Sequence, residues 1–538
     1  MYKINSFSLH NFLLIIILFL CEVICPQAIR DNFRIFPSNS TQTEVFITTH
    51  PHNPSFMFAS ANTIIFQPSY FVSEGVYVTT DGGTTWFGSD TCKGANINFH
   101  GGDPGIAIDK DGVLHITRIA RFPLQGLFAH YSTDYGATWS DQYPITTEFL
   151  ERAAVTTDGF SQSQFFGRTY AAWVKLSPPF ALYSSYTTNN GASWSSPVQV
   201  NNPTQRCAGG EAVVYRSGKI YTCWAGVDPN APFSEKFIGF ASSSDGGNTW
   251  TVNENIFPTQ GIRGLLSQKQ NIRVDGLPRM EVDNTGGERD GWIYIVTTQK
   301  NLSPAGTDPD IILNRSTDGG LTWSQGIRVN QDPLNNGKIQ YFPAIHIDET
   351  GGVNVIFYDD RNTTSDSTGV FLARSVDGGN TWIEYEISDH NFRPSAIGGL
   401  GQGYQGDNIG LTSSGKTLWP VWMDNSSGIY QVWAAPIDIS VLDAEEQNLP
   451  PSDFKLNQNY PNPFNPSTTL SFIVGQRSFV SLKVYDVLGN EVALLINEEK
   501  LPGVYEINFN ASGLSSGIYF YKLTAGSFTE TKKMVLLR

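Results

Sequence analysis

Charge is scarce in this chain of 538 residues: only 16% of positions are Asp, Glu, Lys or Arg. Positive charge is the scarcer sign, with 35 Lys and Arg against 50 Asp and Glu, a formal net charge of −15. That balance argues against binding nucleic acid or an anionic membrane surface. Cysteine is rare, at five. Two of them, Cys21 and Cys25, fall in or beside an N-terminal apolar segment. The remaining three, Cys92, Cys207 and Cys223, cannot all pair within one chain, and their spacing fits no zinc site. Cys207 and Cys223 flank and enter two adjacent expected strands; a disulfide and a pair of buried thiols both fit. Long apolar runs are missing after residue 20. Phe12 to Leu20 is too short to span a bilayer; with Lys3 before it and Pro26 to Ala28 after it, it reads as a secretory signal over residues 1–28. The mature chain is therefore expected to have no membrane span.

Glycine, proline and aromatic residues are plentiful: 51 Gly, 29 Pro and 13% Phe, Trp and Tyr. That composition suits an all-β protein rich in turns. The pattern Ser/Thr-x-Asp-x-Gly-x-Thr-Trp occurs six times, ending at Trp86, Trp139, Trp194, Trp250, Trp323 and Trp382. Its acidic position is Asp81, Asp134, Asp245, Asp318 and Asp377, with Asn189 in the degenerate third copy. The tryptophans are 53, 55, 56, 73 and 59 residues apart, a period that marks a propeller or solenoid. In each copy the carboxylate can accept backbone N–H bonds across a turn, and the Trp can pack beneath it.

Laid over one another, the repeats resolve into four short strands each. In the second unit these are 103–109, 113–120, 127–132 and 143–146. In the fifth they are 280–283, 292–297, 311–314 and 327–330. Alternating apolar residues between Gly and Asp turns support each strand. A seventh unit, 407–411, 418–422 and 429–434, lacks both the motif and a fourth strand. Phe33-Arg34-Ile35 resembles the fourth strands Ile327-Arg328-Val329 and Val198-Gln199-Val200, so the N-terminal strand is expected to complete the last sheet and close a ring. Seven blades are the reading, with six as the alternative because residues 64–71 are irregular.

The motif resembles the Asp-box, or BNR repeat, of sialidase-like β-propellers. The resemblance implies a propeller with the motif turns on the face opposite the site, and a function on extracellular glycans. Sialidases use a Tyr nucleophile assisted by Glu, an Asp acid/base, and three arginines on the substrate carboxylate. Phe33-Arg34-Ile35-Phe36 resembles the family's first arginine motif except at Phe36; Arg34 also aligns with Arg328 and Gln199, as an ordinary outer-strand residue would. No Asp lies between Asp31 and Asp81, where the acid/base is expected, and Glu44 and Glu74 are the only carboxylates there. A standard sialidase activity is therefore not expected.

Blade alignment draws attention to another group. Asp103, Glu211 and Asp407 hold matching positions entering first strands. Asp228, Asp359, Asp360, Arg361 and Asp424 follow second strands, with Tyr341 and Tyr404 near the same rim. Around a central opening these could bind a glycan or Ca²⁺, or each could cap its own loop. No catalytic set is assigned, and no cofactor is required; Ca²⁺ is the one ion the carboxylates suit. The function read from this is a secreted glycan-acting propeller, a glycoside hydrolase if an enzyme; the alternative is a non-catalytic carbohydrate- or protein-binding propeller.

After residue 440 the composition changes. Residues 441–453, with Leu449-Pro450-Pro451, read as a linker. Residues 454–538 carry Asn459-Tyr460-Pro461-Asn462-Pro463-Phe464-Asn465-Pro466, Val484-Tyr485-Asp486-Val487-Leu488-Gly489 and Lys532-Lys533-Met534 between short alternating strands, a small Ig-like β-sandwich. These motifs resemble the C-terminal sorting domain of the type IX secretion system. That implies a Gram-negative bacterium, a secretion-machinery partner, and release from or attachment to the outer cell surface.

Overall fold

The computed structural model describes residues 31–442 and 454–537, apart from residues 95, 399, 402, 476–477, 501–502 and 527. The expected signal peptide and most of the expected linker lie outside the described residues. The chain divides into two compact units between Ser440 and Val441.

Among the described residues the larger unit has seven antiparallel sheets of four or five strands and a two-stranded sheet of Gly264–Leu266 with Ile272–Val274. Sheet 1 spans residues 41–89, sheet 2 residues 105–146, sheet 3 residues 154–199, sheet 4 residues 207–258, sheet 5 residues 279–328 and sheet 6 residues 340–386. Sheet 7 combines residues 410–438 with Phe33–Arg34. The first strand of each sheet touches the first strand of the next, and that of sheet 7 touches that of sheet 1, so the contacts run in a closed cycle. Second strands such as Thr169–Val174, Ile220–Val227 and Val353–Asp359 are buried along their whole length.

The N-terminal strand stands where the repeat alignment puts it. Phe33 pairs with Ala434 and Arg34 with Trp433, and Ile35 N–H donates to the Val432 carbonyl at 3.1 Å. Arg34 lies 5.9 Å from the Trp433 ring centroid on the outer edge. The irregularity at residues 64–71 is a divided third strand: Asn53–Ile65 pairs with both Phe71–Glu74 and Val76–Thr79. Gly75 separates them, where a Cβ would meet the Tyr77 side chain at 2.3 Å.

All six repeat motifs form the same turn between third and fourth strands. Asp318 accepts from Ser316 Oγ at 2.8 Å, Thr322 N–H at 2.9 Å and Thr322 Oγ1 at 2.5 Å. In the degenerate copy Asn189 Oδ1 accepts the Ser193 N–H at 3.0 Å, and its amide donates to Ser193 Oγ at 2.9 Å. The tryptophans reach back to the preceding sheet. Trp139 of sheet 2 lies 6.2 Å from Phe58 of sheet 1, Trp323 of sheet 5 lies 5.3 Å from Phe240 of sheet 4, and Trp86 of sheet 1 lies 5.9 Å from Trp419 of sheet 7.

The second unit has two antiparallel sheets, of three and four strands. Strands such as Ser467–Val474 bury every second residue. Their inward residues, among them Phe472, Leu482, Tyr521 and Met534, form one core. Cys92, Cys207 and Cys223 are all free and buried, so the two adjacent cysteines are thiols. No helix among the described residues is long and apolar enough to cross a membrane.

Candidate functional site

Antiparallel order fixes which ends of the sheets share a face. The loop entering a first strand and the loop leaving a second strand meet at one end; the turn between third and fourth strands is at the other. At the first end lies a cavity of about 510 Å³. Its polar lining is Glu44 and Asn62 from sheet 1, Asp103 and Arg121 from sheet 2, Glu151 and Arg152 before sheet 3, Arg263, Arg273, Asp275 and Arg279 before and in sheet 5, and Tyr404, Asp407 and Asn408 before sheet 7.

Irregular backbone aims these groups inward. The innermost strand of sheet 1 breaks register between Thr43 and Phe46, and Glu44 sits at φ 55°. The innermost strands of sheets 4 and 6 break register at the same end, between Ala208 and Glu211 and between Tyr341 and Ala344. Such bulges re-aim side chains. Asp103 is also left-handed, at φ 57°. It is held there by its N–H donating to Asn62 Oδ1 at 2.6 Å. Glu74 braces the same loop, accepting from Gly102 N–H at 2.9 Å and meeting His100 Nδ1 at 2.6 Å.

One network joins the cavity walls. Asn62 Nδ2 donates to the Tyr404 hydroxyl at 3.0 Å, and Thr43 Oγ1 is 3.2 Å from the same oxygen. The Arg273 guanidinium lies 5.5 Å from the Tyr404 ring centroid and pairs with Asp407 at 3.2 Å. Asn408 Nδ2 donates to Asp407 at 2.8 Å and Glu44 at 3.4 Å, while Arg279 donates to Asn408 Oδ1. Glu211 ties the floor, accepting from Arg152 at 2.8 Å and Arg279 at 3.2 Å.

Burial shapes the proton affinities. Desolvation, then the nearby Asp407 and Asp103 charges, push Glu44 well above the usual carboxylate range. Desolvation pushes Asp103 up to about 6 and, with the Asp407 and Glu235 charges, Asp275 up to about 8. Five arginines thus face fewer ionised carboxylates than the lining counts, on a chain that is strongly acidic overall. The buried Nη1 of Arg263, on the cavity wall, has no hydrogen-bond partner among the described residues.

Of the eight residues picked from the blade alignment, the structure brings three together here: Asp103 and Asp407 in the wall, Glu211 beneath Arg152 and Arg279. The other five stand elsewhere, satisfied by their own loops or by neighbouring segments. Asp228 accepts from Asn230 N–H at 3.0 Å. Asp359 and Glu384 clamp Arg361 at 2.6 and 2.5 Å. Asp360 is buried against Lys269 at 2.5 Å. Asp424 accepts from Trp422 Nε1 at 3.0 Å and meets His390 at 3.1 Å. Asp228, Asp359 and Asp424 accept N–H groups of their own loops, from Asn230, Arg361 and Ser426, while Asp360 is taken up by Lys269 and the Ile339 N–H. Tyr341 is likewise buried, 5.1 Å from the Tyr358 ring, whereas Tyr404 reaches the cavity.

Residue spacing alone misses Glu44, Asp275 and the arginines: Glu44 sits on a bulge and Arg263, Arg273 and Asp275 lie on an insertion, while the blade alignment does not single out Arg121, Arg152 or Arg279. Glu44 did carry one signal: it is one of two carboxylates in the segment lacking Asp. Among the described residues no group of three or more His, Cys, Asp or Glu is placed to hold a metal ion, so Ca²⁺ binding, one of the alternatives the carboxylates allowed, is not shown.

Comparison with known proteins separates the two units. Residues 458–537 match the secretion system C-terminal sorting domain. The chain is thus exported by the type IX system to the cell surface or extracellular space. No curated protein matches the chain. Among solved structures, a PL25 polysaccharide lyase, an ulvan lyase bound to -[GlcA(1-4)Rha3S]-, superposes with TM-score 0.50 at 12% identity, covering 76% of this chain and 96% of its own. Also similar are an α-L-arabinanase from Penicillium chrysogenum (TM-score 0.42, 14% identity, 64% of this chain and 98% of that one) and the intramolecular trans-sialidase of Ruminococcus gnavus (TM-score 0.38, 12%, 64% and 98%). All three are glycan-acting enzymes; at 12% identity the lyase likeness is one of fold, and the other two are looser.

Proposed function

We propose that the seven sheets are the blades of a sialidase-like propeller, followed by an Ig-like sorting module, and that the protein is a secreted glycoside hydrolase acting on an acidic sugar. One observation carries this reading: buried, proton-holding carboxyls and several arginines share a single cavity. Arginine suits a sugar carboxylate or sulfate, which it can grip through two N–H groups. Arg263, whose Nη1 has no partner among the described residues, and Arg273 are the candidates for that grip.

Cleavage of a glycosidic bond needs a proton for the leaving oxygen. Asp103, raised to about 6, can hold one near neutral pH. It fills the role left open by the Asp-free segment 32–80, from a different loop. Tyr404 with Glu44 is suited to the nucleophile pair that sialidase-like enzymes use in place of a second carboxylate. Glu44 would take the phenol proton once its own has left, and Arg273 over the ring would stabilise the developing phenolate.

The test is turnover by the purified mature protein on sialosides, uronides and neutral glycosides. Turnover is expected on at least one acidic glycoside and on none of the neutral ones. Asp103→Asn and Tyr404→Phe should each lower kcat at least about 100-fold, within the range of acid–base and nucleophilic contributions, at unchanged Tm. Release of sialic acid would overturn the expectation drawn from the missing Asp and leave the acidic-sugar reading standing. An unsaturated product would mark a lyase instead. The second reading, a binding propeller, is favoured by how many cavity carboxylates are already paired within the protein; binding of acidic glycans without turnover would establish it.

A further inference from the structure

Four separate loops bordering the cavity carry exposed aromatic rings. Tyr70 lines the cavity wall and is 44% exposed, and Phe71 is next to it. Phe99 stands two residues before Gly101, Phe122 directly follows Arg121, and Phe149 precedes Glu151 by two; Gly101, Arg121 and Glu151 all line the cavity. Phe122 is 93% exposed and Phe149 58%. The loops are bonded to one another: Arg121 N–H donates to the Phe99 carbonyl at 2.9 Å, and Gln125 Nε2 to the Thr147 carbonyl at 3.3 Å. The Arg121 guanidinium lies 5.2 Å from the Tyr70 ring centroid. Scattered exposed apolar residues are ordinary, but several exposed rings on hydrogen-bonded loops around one polar cavity point to a binding surface.

We infer that this aromatic rim is a platform for the chain of an acidic polysaccharide, holding sugar units beyond the one seated in the cavity. Sugar rings present flat C–H faces that stack on aromatic rings, while their hydroxyls and charged groups remain in water. The platform is continuous with the cavity through Tyr70, and Arg121 at their junction supplies positive charge for an anionic unit. A surface serving only a single terminal sugar would have no use for rings outside the cavity. The inference rests on the glycan reading above; its consequence is that the natural substrate is polymeric.

The experiment uses the full mature protein, the double variant Phe122→Ala/Phe149→Ala, and Phe166→Ala as a control. Phe166 is also exposed but packs against His52, away from the cavity lining. Affinity electrophoresis in gels containing polygalacturonate, alginate or chondroitin sulfate reads polymer binding without requiring turnover. Wild type and Phe166→Ala should be retarded by at least one polymer, and the double variant should bind it about 10-fold more weakly or worse. Where a small aryl glycoside is turned over, its kcat/KM should stay within about 2-fold in the double variant while that on the polymer falls about 10-fold. Equal retardation of wild type and double variant overturns the platform, as does a matching loss on the small glycoside or retardation by none of the three polymers. The hydrolase reading fails separately, by lack of turnover with retardation intact.

Discussion

Glu44 and Asp103 occupy backbone conformations that residues with a Cβ adopt at a cost of roughly 1–3 kcal/mol. Asn408 anchors Glu44 and Asn62 anchors Asp103, so the surrounding hydrogen bonds offset that cost and keep the carboxyls aimed inward. If Asp103 is the proton donor, kcat/KM should fall as pH rises through about 6, since the acid must enter the reaction protonated. The Asp103→Asn variant should lose that limb in a pH-rate profile, and a wild-type profile flat from pH 5 to 8 would remove Asp103 from the role. Asp275 offers a test of burial itself. Its folded proton affinity, raised to about 8, exceeds that of an unfolded aspartate, so the folded state binds more protons between those values. Its contribution is present at low pH and lost as pH rises through about 8. Asp275→Asn should therefore raise Tm by about 1–3 °C at pH 8.5 and change it little at pH 4, read by thermal denaturation at both values.

At the scale of the element, each repeat turn is a fastener between neighbouring sheets. The carboxylate fixes the turn, and the fixed turn holds the indole against the sheet before it. Threonine hydrogen bonds hold Asp318 down at about 2. Its contribution is thus present at neutral pH and lost only as pH falls towards 2. Trp323→Ala removes contacts with Phe240 and Phe257 and should cost about 3 kcal/mol in chemical denaturation. Asp318→Ala should cost about 1 kcal/mol, the worth of its hydrogen bonds. Because strand order puts these turns at the end away from the cavity, neither change should weaken ligand binding. Unchanged stability with lost binding would mean that the two ends are wrongly assigned.

Ring closure is a property of the whole molecule, and residues far apart in sequence supply it. Asn32 exchanges bonds with Asp389, its Nδ2 donates to the Ile387 carbonyl, and Ile35 is buried between sheets 7 and 1. Removing residues 31–38 should cost about 3–5 kcal/mol through lost strand bonds and apolar burial, seen as a lower denaturation midpoint. His390 stands beside this seam, between Asp389 and Asp424, 4.6 Å from the Trp433 ring. Its hydrogen bond to Asp424 leads the causes that raise it to about 9. Its contribution is present below the ordinary histidine value and lost as pH rises from there through about 9. In His390→Gln, Tm should depend less on pH between 6.5 and 9 than in wild type; equal slopes would show that the seam does not use the charge. Ser426 Oγ also lies 3.0 Å from His390 Nε2, but a histidine held protonated by Asp424 cannot serve it as a base.

Local chemistry is what the sequence by itself determined. The six motifs, the alternating strands and the resemblance of Phe33-Arg34-Ile35 to other fourth strands were enough to divide residues 31–440 into repeats, read as seven with six as the alternative, and to place the N-terminal strand beside residues 433–434. These features repeat, and each is decided by turn geometry and side-chain alternation within a few residues. The sorting module was legible for the same reason: its motifs are contiguous. The cavity was only partly legible. Asp103, Glu211 and Asp407 stand at equivalent positions in the repeat, so alignment could find them. Glu44 on a bulge, Arg273 and Asp275 on an insertion before sheet 5, and the pairing of Tyr404 with Asn62 break the repeat, and only the closed ring brings them within hydrogen-bond reach. Asp359, Asp360, Arg361 and Asp424 are instead taken up by partners such as Lys269, Glu384 and His390, which lie in other segments, and sequence position does not tell which partners those are.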